Sequence, residues 1–229
     1  MRIFILEDKK IESELEKEDK FAKVQKIGET YKILSNDFKI IISNKNIKEI
    51  LEIAADLGIL FLALENLDEE IKKIEEDLGF NIPRITKMDE IQNTPNFESL
   101  KSLIQKIKQT DESKECGAIG VFIGFVREIS HGKLVKQLEY EAYTEMLDKK
   151  IGELINGART MGAVNAEIYH RIGTLKVGED IVYIVVMGKG RKDIWEPLRI
   201  LTDNIKTKLP IWKKEVYYNG QEMWVHDMK

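Results

Sequence analysis

The chain has 229 residues and a mass of 26.5 kDa, and 43% of the residues are hydrophobic, enough for one large or two small domains with a real core. Charged residues make up 33% but nearly cancel, leaving a net charge of −4 and a pI near 5.6, which excludes generic nucleic-acid binding through bulk charge. Any anion site must come from local clustering of cations.

The N-terminus, MRIFILEDKK, is charged too soon for a secretory signal, and no stretch approaches the roughly 18 apolar residues of a membrane span. The expectation is a cytoplasmic protein with no membrane partner. Arg2 to Leu6 and Phe38 to Ser43 read as strands. Asn46 to Leu57 carries a helical pattern through Ile47, Ile50, Leu51 and Ala54, closed by Gly58. Ile59 to Leu64 is an unbroken apolar run suited to a buried strand, and Leu67 to Leu78 is a charged helix ending at Gly79. Strands alternating with helices make residues 1–90 a small α/β accessory domain. Neither Gly-x-x-x-x-Gly-Lys-Ser/Thr nor Gly-x-Gly-x-x-Gly occurs in the chain, so this domain has no phosphate loop. Residues 81 to 97, NIPRITKMDEIQNTPNF, hold two prolines and polar turn formers and read as the boundary, leaving 91–229 as the second domain.

Glu98 to Gln109 reads as a helix through Leu100, Leu103, Ile104 and Ile107. Cys116, the only cysteine, excludes an internal disulfide and a multi-cysteine zinc site, and it reads as a small core residue. Gly117 to Val126, GAIGVFIGFV, reads as a buried strand ending at Arg127, its glycines serving close backbone packing. His131-Gly132 marks a turn, and Val135 to Ala142 is the returning strand. Glu145 to Met161 is a helix. Asn165 to Ile172 and Ile181 to Met187 are two further strands, joined through Gly173 to Gly178. The order is that of an α+β domain with a largely antiparallel sheet. The three histidines are widely spaced, so no metal pair forms at helical spacing. His170, at a strand end beside Arg171, reads as structural.

Positive charge gathers most densely between Gly188 and Glu215, GKGRKDIWEPLRILTDNIKTKLPIWKKE. Asp193 and Glu196 read as a capping box, with Pro197 in the first turn and Pro210 as the stop. Ile194, Leu198, Leu201 and Ile205 recur at helical spacing as the buried stripe. Lys189, Arg191 and Lys192 precede the helix, while Lys206, Lys208, Lys213 and Lys214 follow or end it. A solvated basic rim is one reading of this charge. Pro-Ile-Trp-Lys favours another, because a proline and an indole hold Lys213 stiffly, which a freely solvated lysine does not need. A glycine-flanked basic loop likewise suits an anion, such as a phosphate or carboxylate.

Four blocks in order, VFIGFVRE, LEYEAYTEM, HRIGTLKVGED and IKTKLPIWKKE, resemble the large catalytic subunit family of molybdopterin synthase over roughly residues 112 to 229. The resemblance implies an α/β-hammerhead fold, a homodimer, and a heterotetramer with a small ubiquitin-like sulfur-carrier subunit. That partner's C-terminal Gly-Gly thiocarboxylate would donate sulfur to cyclic pyranopterin monophosphate, forming the dithiolene of molybdopterin. No metal or redox cofactor is implied for the step. The family's two active-site lysines fall on Lys206 and Lys213, and its strand-end arginine falls on Arg127. A His-Arg pair before the last helix is Gly190-Arg191 here, so the arginine carries over and the histidine does not. Arg191 is then expected to hold the substrate phosphate, with Lys189 or Lys192 replacing the imidazole. A non-catalytic binding module with the same fold is the alternative, favoured by that missing histidine and by the short tail after Trp224.

Overall fold

The computed structural model describes residues 1–18, 20–43, 45–67 and 70–225. The chain divides into two compact units, one of Met1–Glu76 with Phe80–Ser102, the other of Leu103–Lys229 with Asp77–Gly79.

The first unit contains β1 (Arg2–Leu6), α1 (Lys9–Leu15), β2 (Phe21–Ile27), β3 (Thr30–Ser35), β4 (Lys39–Ser43), α2 (Ile47–Asp56), β5 (Phe61–Glu65), most of α3 (Ile71–Leu78) and β6 (Arg84–Ile85). One sheet runs β4-β3-β2-β5-β1-β6. Its pairs β2–β5, β5–β1 and β1–β6 are parallel, whereas β2–β3 and β3–β4 are antiparallel. α2 starts on a capping box, Asn46 accepting from the Glu49 N–H while Glu49 accepts from the Asn46 N–H, and Gly58 leaves it at φ +79°. The expected helix from Leu67 falls partly on Asp68 and Glu69, outside the described residues; the described helix starts at Ile71.

The stretch expected as a boundary, 81 to 97, belongs to this unit. The prolines that suggested a linker have lost a donor but keep an acceptor. Ile5 N–H donates to the Pro83 carbonyl at 2.9 Å and Ile3 N–H to that of Pro95 at 3.3 Å. Ile91 and Phe97 are buried. The division therefore falls near Ser102 rather than at residue 90.

The second unit begins within α4 (Leu100–Lys108) and continues with β7 (Ala118–Phe125), β8 (Ile129–Ser130), β9 (Lys133–Ala142), α5 (Thr144–Thr160), β10 (Asn165–His170), β11 (Gly173–Lys176), β12 (Asp180–Gly188), α6 (Lys192–Lys208), β13 (Ile211–Tyr217) and β14 (Glu222–Val225). Two antiparallel sheets form, β10-β12-β7 and β11-β9-β13-β14, with β8 paired to β9. Ile184 and Val186 of β12 pack with Leu154 and Ala158 of α5 and Leu201 and Ile205 of α6 in the main core. A second core joins Val126, Val135, Leu138, Tyr140, Leu175 and Tyr217.

Two expectations change here. β9 does not return along β7. The turn at His131 and Gly132, both at positive φ, joins β8 to β9, and β9 pairs with β11 and β13 in the other sheet. β7 is not buried on both faces either. It is the last strand of its sheet, and Val121, Ile123 and Phe125 are exposed, Phe125 by 62%. Its glycines do serve close packing: a Cβ at Gly120 would lie 3.2 Å from Ile194 Cγ2, and one at Gly124 would lie 2.9 Å from Val182 Cγ1.

Candidate active site

Arg127, Lys206 and Lys213 line one cavity of about 960 Å³ in the second unit. Each arrives on a different element. Lys213 sits on β13 between Tyr140 of β9 and Val225 of β14, so its backbone is fixed from both sides. Lys206 lies in the last turn of α6. The residue before Pro210, Leu209, has left helical space at ψ 139°, and β13 starts only two residues later. This short turn folds Lys213 back past the end of the helix. Arg127 follows β7, whose end pairs with the start of β12.

Glu215 ties Lys213 to Arg127 through Ser130, and sequence reading missed it. Alternation along β13 puts Lys213, Glu215 and Tyr217 on one face. Glu215 is only 2% exposed. It accepts from the Tyr217 hydroxyl at 2.5 Å, from Ser130 Oγ at 3.1 Å and from Lys213 Nζ at 3.2 Å. Arg127 donates to the same Ser130 Oγ at 3.4 Å, so Arg127, Ser130, Glu215 and Lys213 form one hydrogen-bonded chain. Burial pushes the Glu215 carboxyl up, but the bonds from Tyr217, Lys213 and Ser130 outweigh it and hold the group below the usual carboxylate range. Burial and the bond to Glu215 push the Tyr217 hydroxyl up to about 12. Lys214 faces the other side of the sheet, paired with Glu139 at 2.6 Å and Glu222 at 3.3 Å and lying over the Trp224 ring. Of the two adjacent lysines, only Lys213 serves the cavity. The signal for Glu215 was available as Lys-x-Glu-x-Tyr at strand period, but inside a KKE run it reads as surface charge.

His170 also lines the cavity. Its Nδ1 lies 2.7 Å from the Arg171 carbonyl, and its ring meets Tyr140 edge-on with centroids 5.0 Å apart. Burial pushes its pKa down to about 4, only partly opposed by the bond to Arg171.

Lys189, Arg191 and Lys192 do not join this cavity. They follow the carboxyl end of β12, next to Ala118, whereas Arg127 lies beyond Phe125, which pairs with the start of β12. Nine residues of strand separate the two ends, roughly 25–30 Å. Lys189 pairs with Glu115 at 2.8 Å between two exposed side chains, a contact that solvent screens. The expected capping box is absent too. α6 starts two residues earlier, at Lys192, so Asp193 is inside it, reaching back to accept from the Gly190 N–H at 2.8 Å. Glu196 is bound to Arg199 instead, and Pro197 lies buried in the second turn. Nothing in space demands glycine at 190, where an added Cβ would meet only Asp193 Oδ2 at 3.9 Å.

Cys116 is half-buried rather than core, its thiol donating to the Glu112 carbonyl at 3.3 Å. In the first unit, a cavity of about 340 Å³ opens at the carboxyl ends of β1 and β5. Its carboxylates are engaged locally, Glu7 with Arg84, Glu12 with Lys23 and Glu65 with Gln25. Among the described residues, no group of three His, Cys, Asp or Glu side chains is placed to hold a metal ion, and no helix is long and apolar enough to cross a membrane.

The family model described as MoaE protein matches residues 96–208, starting earlier than the sequence blocks and ending before Lys213. A molybdopterin synthase catalytic subunit of Pyrococcus abyssi is 40% identical over 114 residues, covering 49% of this chain and 76% of that protein. The Bacillus subtilis counterpart is 39% identical over 141 residues, covering 60% and 84% respectively. The human one is 34% identical over 147 residues, covering 62% and 78%. Among solved structures, molybdopterin synthase from Staphylococcus aureus superposes with a TM-score of 0.51 at 30% identity, over 57% of this chain and 91% of that one.

Proposed function

The chain belongs to the MoaE protein family, and from that premise we propose that it transfers sulfur in molybdenum cofactor biosynthesis. The donor is the C-terminal thiocarboxylate of a small ubiquitin-like partner. The acceptor is cyclic pyranopterin monophosphate, which gains the dithiolene of molybdopterin in two transfers, each using one partner and releasing its tail as a carboxylate by hydrolysis. The observation that carries this reading is the convergence of Arg127, Lys206 and Lys213 on one cavity, locked by the buried Glu215.

The chemistry needs that charge. Donor and acceptor are both anions, and like charges 4 Å apart repel by about 4 kcal/mol at an effective dielectric of about 20. Lys206 and Lys213 offset this repulsion where the thiocarboxylate meets the substrate. As the cyclic phosphate opens, the departing oxygen gains charge that a fixed ammonium stabilises without reorganising. Arg127 suits the bidentate grip that a phosphate or carboxylate oxygen pair requires. Glu215 keeps the Lys213 ammonium aimed and offsets part of the repulsion between it and Arg127.

Arg191, Lys189 and Lys192 enter the reading through a second copy. β7 has an unpaired outer edge among the described residues and an apolar exposed face, and Phe125 belongs both to that face and to the cavity. Two copies joined antiparallel along β7 would bring the Ala118 end of one next to the Phe125 end of the other. The partner's 189–192 loop, which Lys189 anchors by its carbonyl to the Gly117 N–H, would then reach this cavity. The proposal is therefore a homodimer of hammerhead-type domains, with one small subunit at each site and the assembly in the cytoplasm. Incubating the protein with thiocarboxylated partner and cyclic pyranopterin monophosphate tests it. Dithiolene product is the expected outcome, and a chain that binds both without forming product refutes sulfur transfer.

A further inference from the structure

Resting on that reading, we propose that His170 is a fixed hydrogen-bond acceptor that grips the N–H edge of the pterin ring, and is not a base. The tautomer follows from its contacts. A carbonyl can only accept, so Nδ1 must carry the hydrogen that reaches the Arg171 oxygen at 2.7 Å. Nε2 is then left with its lone pair. It has no partner among the described residues, yet it is not a sealed polar atom. A ring in the cavity wall with an accessible, unpartnered nitrogen presents that nitrogen to whatever fills the cavity.

The neighbours decide what it accepts from. Tyr140 packs edge-on against the imidazole and stands directly opposite Lys213 in the sheet, so His170 lies one ring away from the catalytic lysine. Anionic oxygens go to Lys206, Lys213 and Arg127, and a lone pair repels them. A neutral N–H donor is the complement. The cyclic pyranopterin carries such donors on its amino-pyrimidinone ring, and Phe122, Phe125 and Trp212 supply apolar wall for a flat heterocycle. With a pKa held near 4, the imidazole stays neutral at working pH and is too weak a base to take a proton there. One cavity thus sorts its ligand, with phosphate and thiocarboxylate on the cations and the ring edge on His170.

The test reads pterin binding by the full chain without turnover, by titration calorimetry with cyclic pyranopterin monophosphate and with neopterin, which lacks the phosphate. His170→Leu is expected to weaken both ligands by about 3- to 10-fold, the range for one neutral hydrogen bond. His170→Gln, which keeps an acceptor, should stay within about 2-fold. In turnover, the loss should appear in KM for the pterin, leaving KM for the small partner and the pH profile of kcat unchanged. Nitrogen-15 NMR of the unmutated protein covers the case in which His170→Leu does not fold. The Nε2 resonance should move on adding neopterin and stay in place on adding inorganic phosphate. Equal binding by both variants, an Nε2 signal indifferent to neopterin, or a displaced limb in the kcat profile would each overturn the proposal. Failure of the unmutated chain to bind either pterin would remove both this inference and the reading beneath it. Ring binding through His170 without dithiolene product would sink the sulfur-transfer reading alone.

Discussion

Replacing Glu215 by glutamine is the sharpest perturbation of the site. The side chain keeps its shape but loses its charge, and one acceptor oxygen becomes an NH₂ donor. The three donors now aimed at it, Tyr217, Ser130 and Lys213, cannot all be satisfied. Hydrogen bonds to a charged group are worth about 1.5–3 kcal/mol each, and breaking a fully buried pair costs about 3–5 kcal/mol. Lys213 is 30% exposed and can turn to water, which lowers that figure. A stability loss of about 2–4 kcal/mol is therefore expected for the second unit, read from denaturant unfolding. With Lys213 no longer held, turnover should fall by roughly 100-fold, as a misplacement near 1 Å does. The sign of the pH dependence follows. Because the folded carboxyl titrates below its unfolded value of 4.5, it stabilises above that pH, and the contribution is lost as pH falls through the folded value. Glu215→Gln should remove this acid-side slope. A variant within about 0.5 kcal/mol of the parent, with near-normal turnover, would refute the view that Glu215 organises the site.

Lys206→Ala should cut turnover by orders of magnitude with little change in unfolding midpoint, since its side chain is exposed on the last turn of α6. Lys213→Ala should cut turnover equally but also lower stability by about 1–3 kcal/mol, because it leaves a buried carboxylate short of its cation. Arg191→Ala should raise the pterin dissociation constant by about 10- to 150-fold. Mixing Arg191→Ala chains with Lys206→Ala chains should restore about half of the parental activity per mixed dimer, and no recovery on mixing would place the loop outside the site. For His170, the folded pKa near 4 lies below the ordinary 6.5. The neutral form is favoured in the fold, so its contribution of at most about 3 kcal/mol is complete above pH 6.5 and lost on acidification towards 4. His170→Gln should flatten stability across that window in thermal unfolding scans.

Lys213 was legible because its frame is local, a proline two residues before an indole, and the α2 capping box was readable for the same reason. Lys206 and Arg127 were singled out only by the family resemblance, and the structure brings both to the cavity that Lys213 lines. Distance along β12 was not legible. Seen as one basic stretch, Lys189 to Lys214 hides the fact that a helix of 17 residues separates its two halves. The placement of β9 was lost because alternation predicts a strand but not its neighbour, and the turn that decides it joins the two-residue β8. The prolines of 81 to 97 misled because lost donors are visible in a sequence, whereas the carbonyls that bind β1 are not.

The two cavity lysines also differ in how their backbones are held. Lys213 lies in a strand bonded on both edges, so its amide should exchange with deuterium only when the sheet opens as a whole. Lys206 sits in a final helical turn whose last bond, from Leu209 N–H to the Ile205 carbonyl, is stretched to 3.4 Å. That turn can fray and re-form while the sheet stays closed. One wall of the cavity is thus a fixed anvil and the other a yielding one, so the cavity can widen at Lys206 without unfolding the domain.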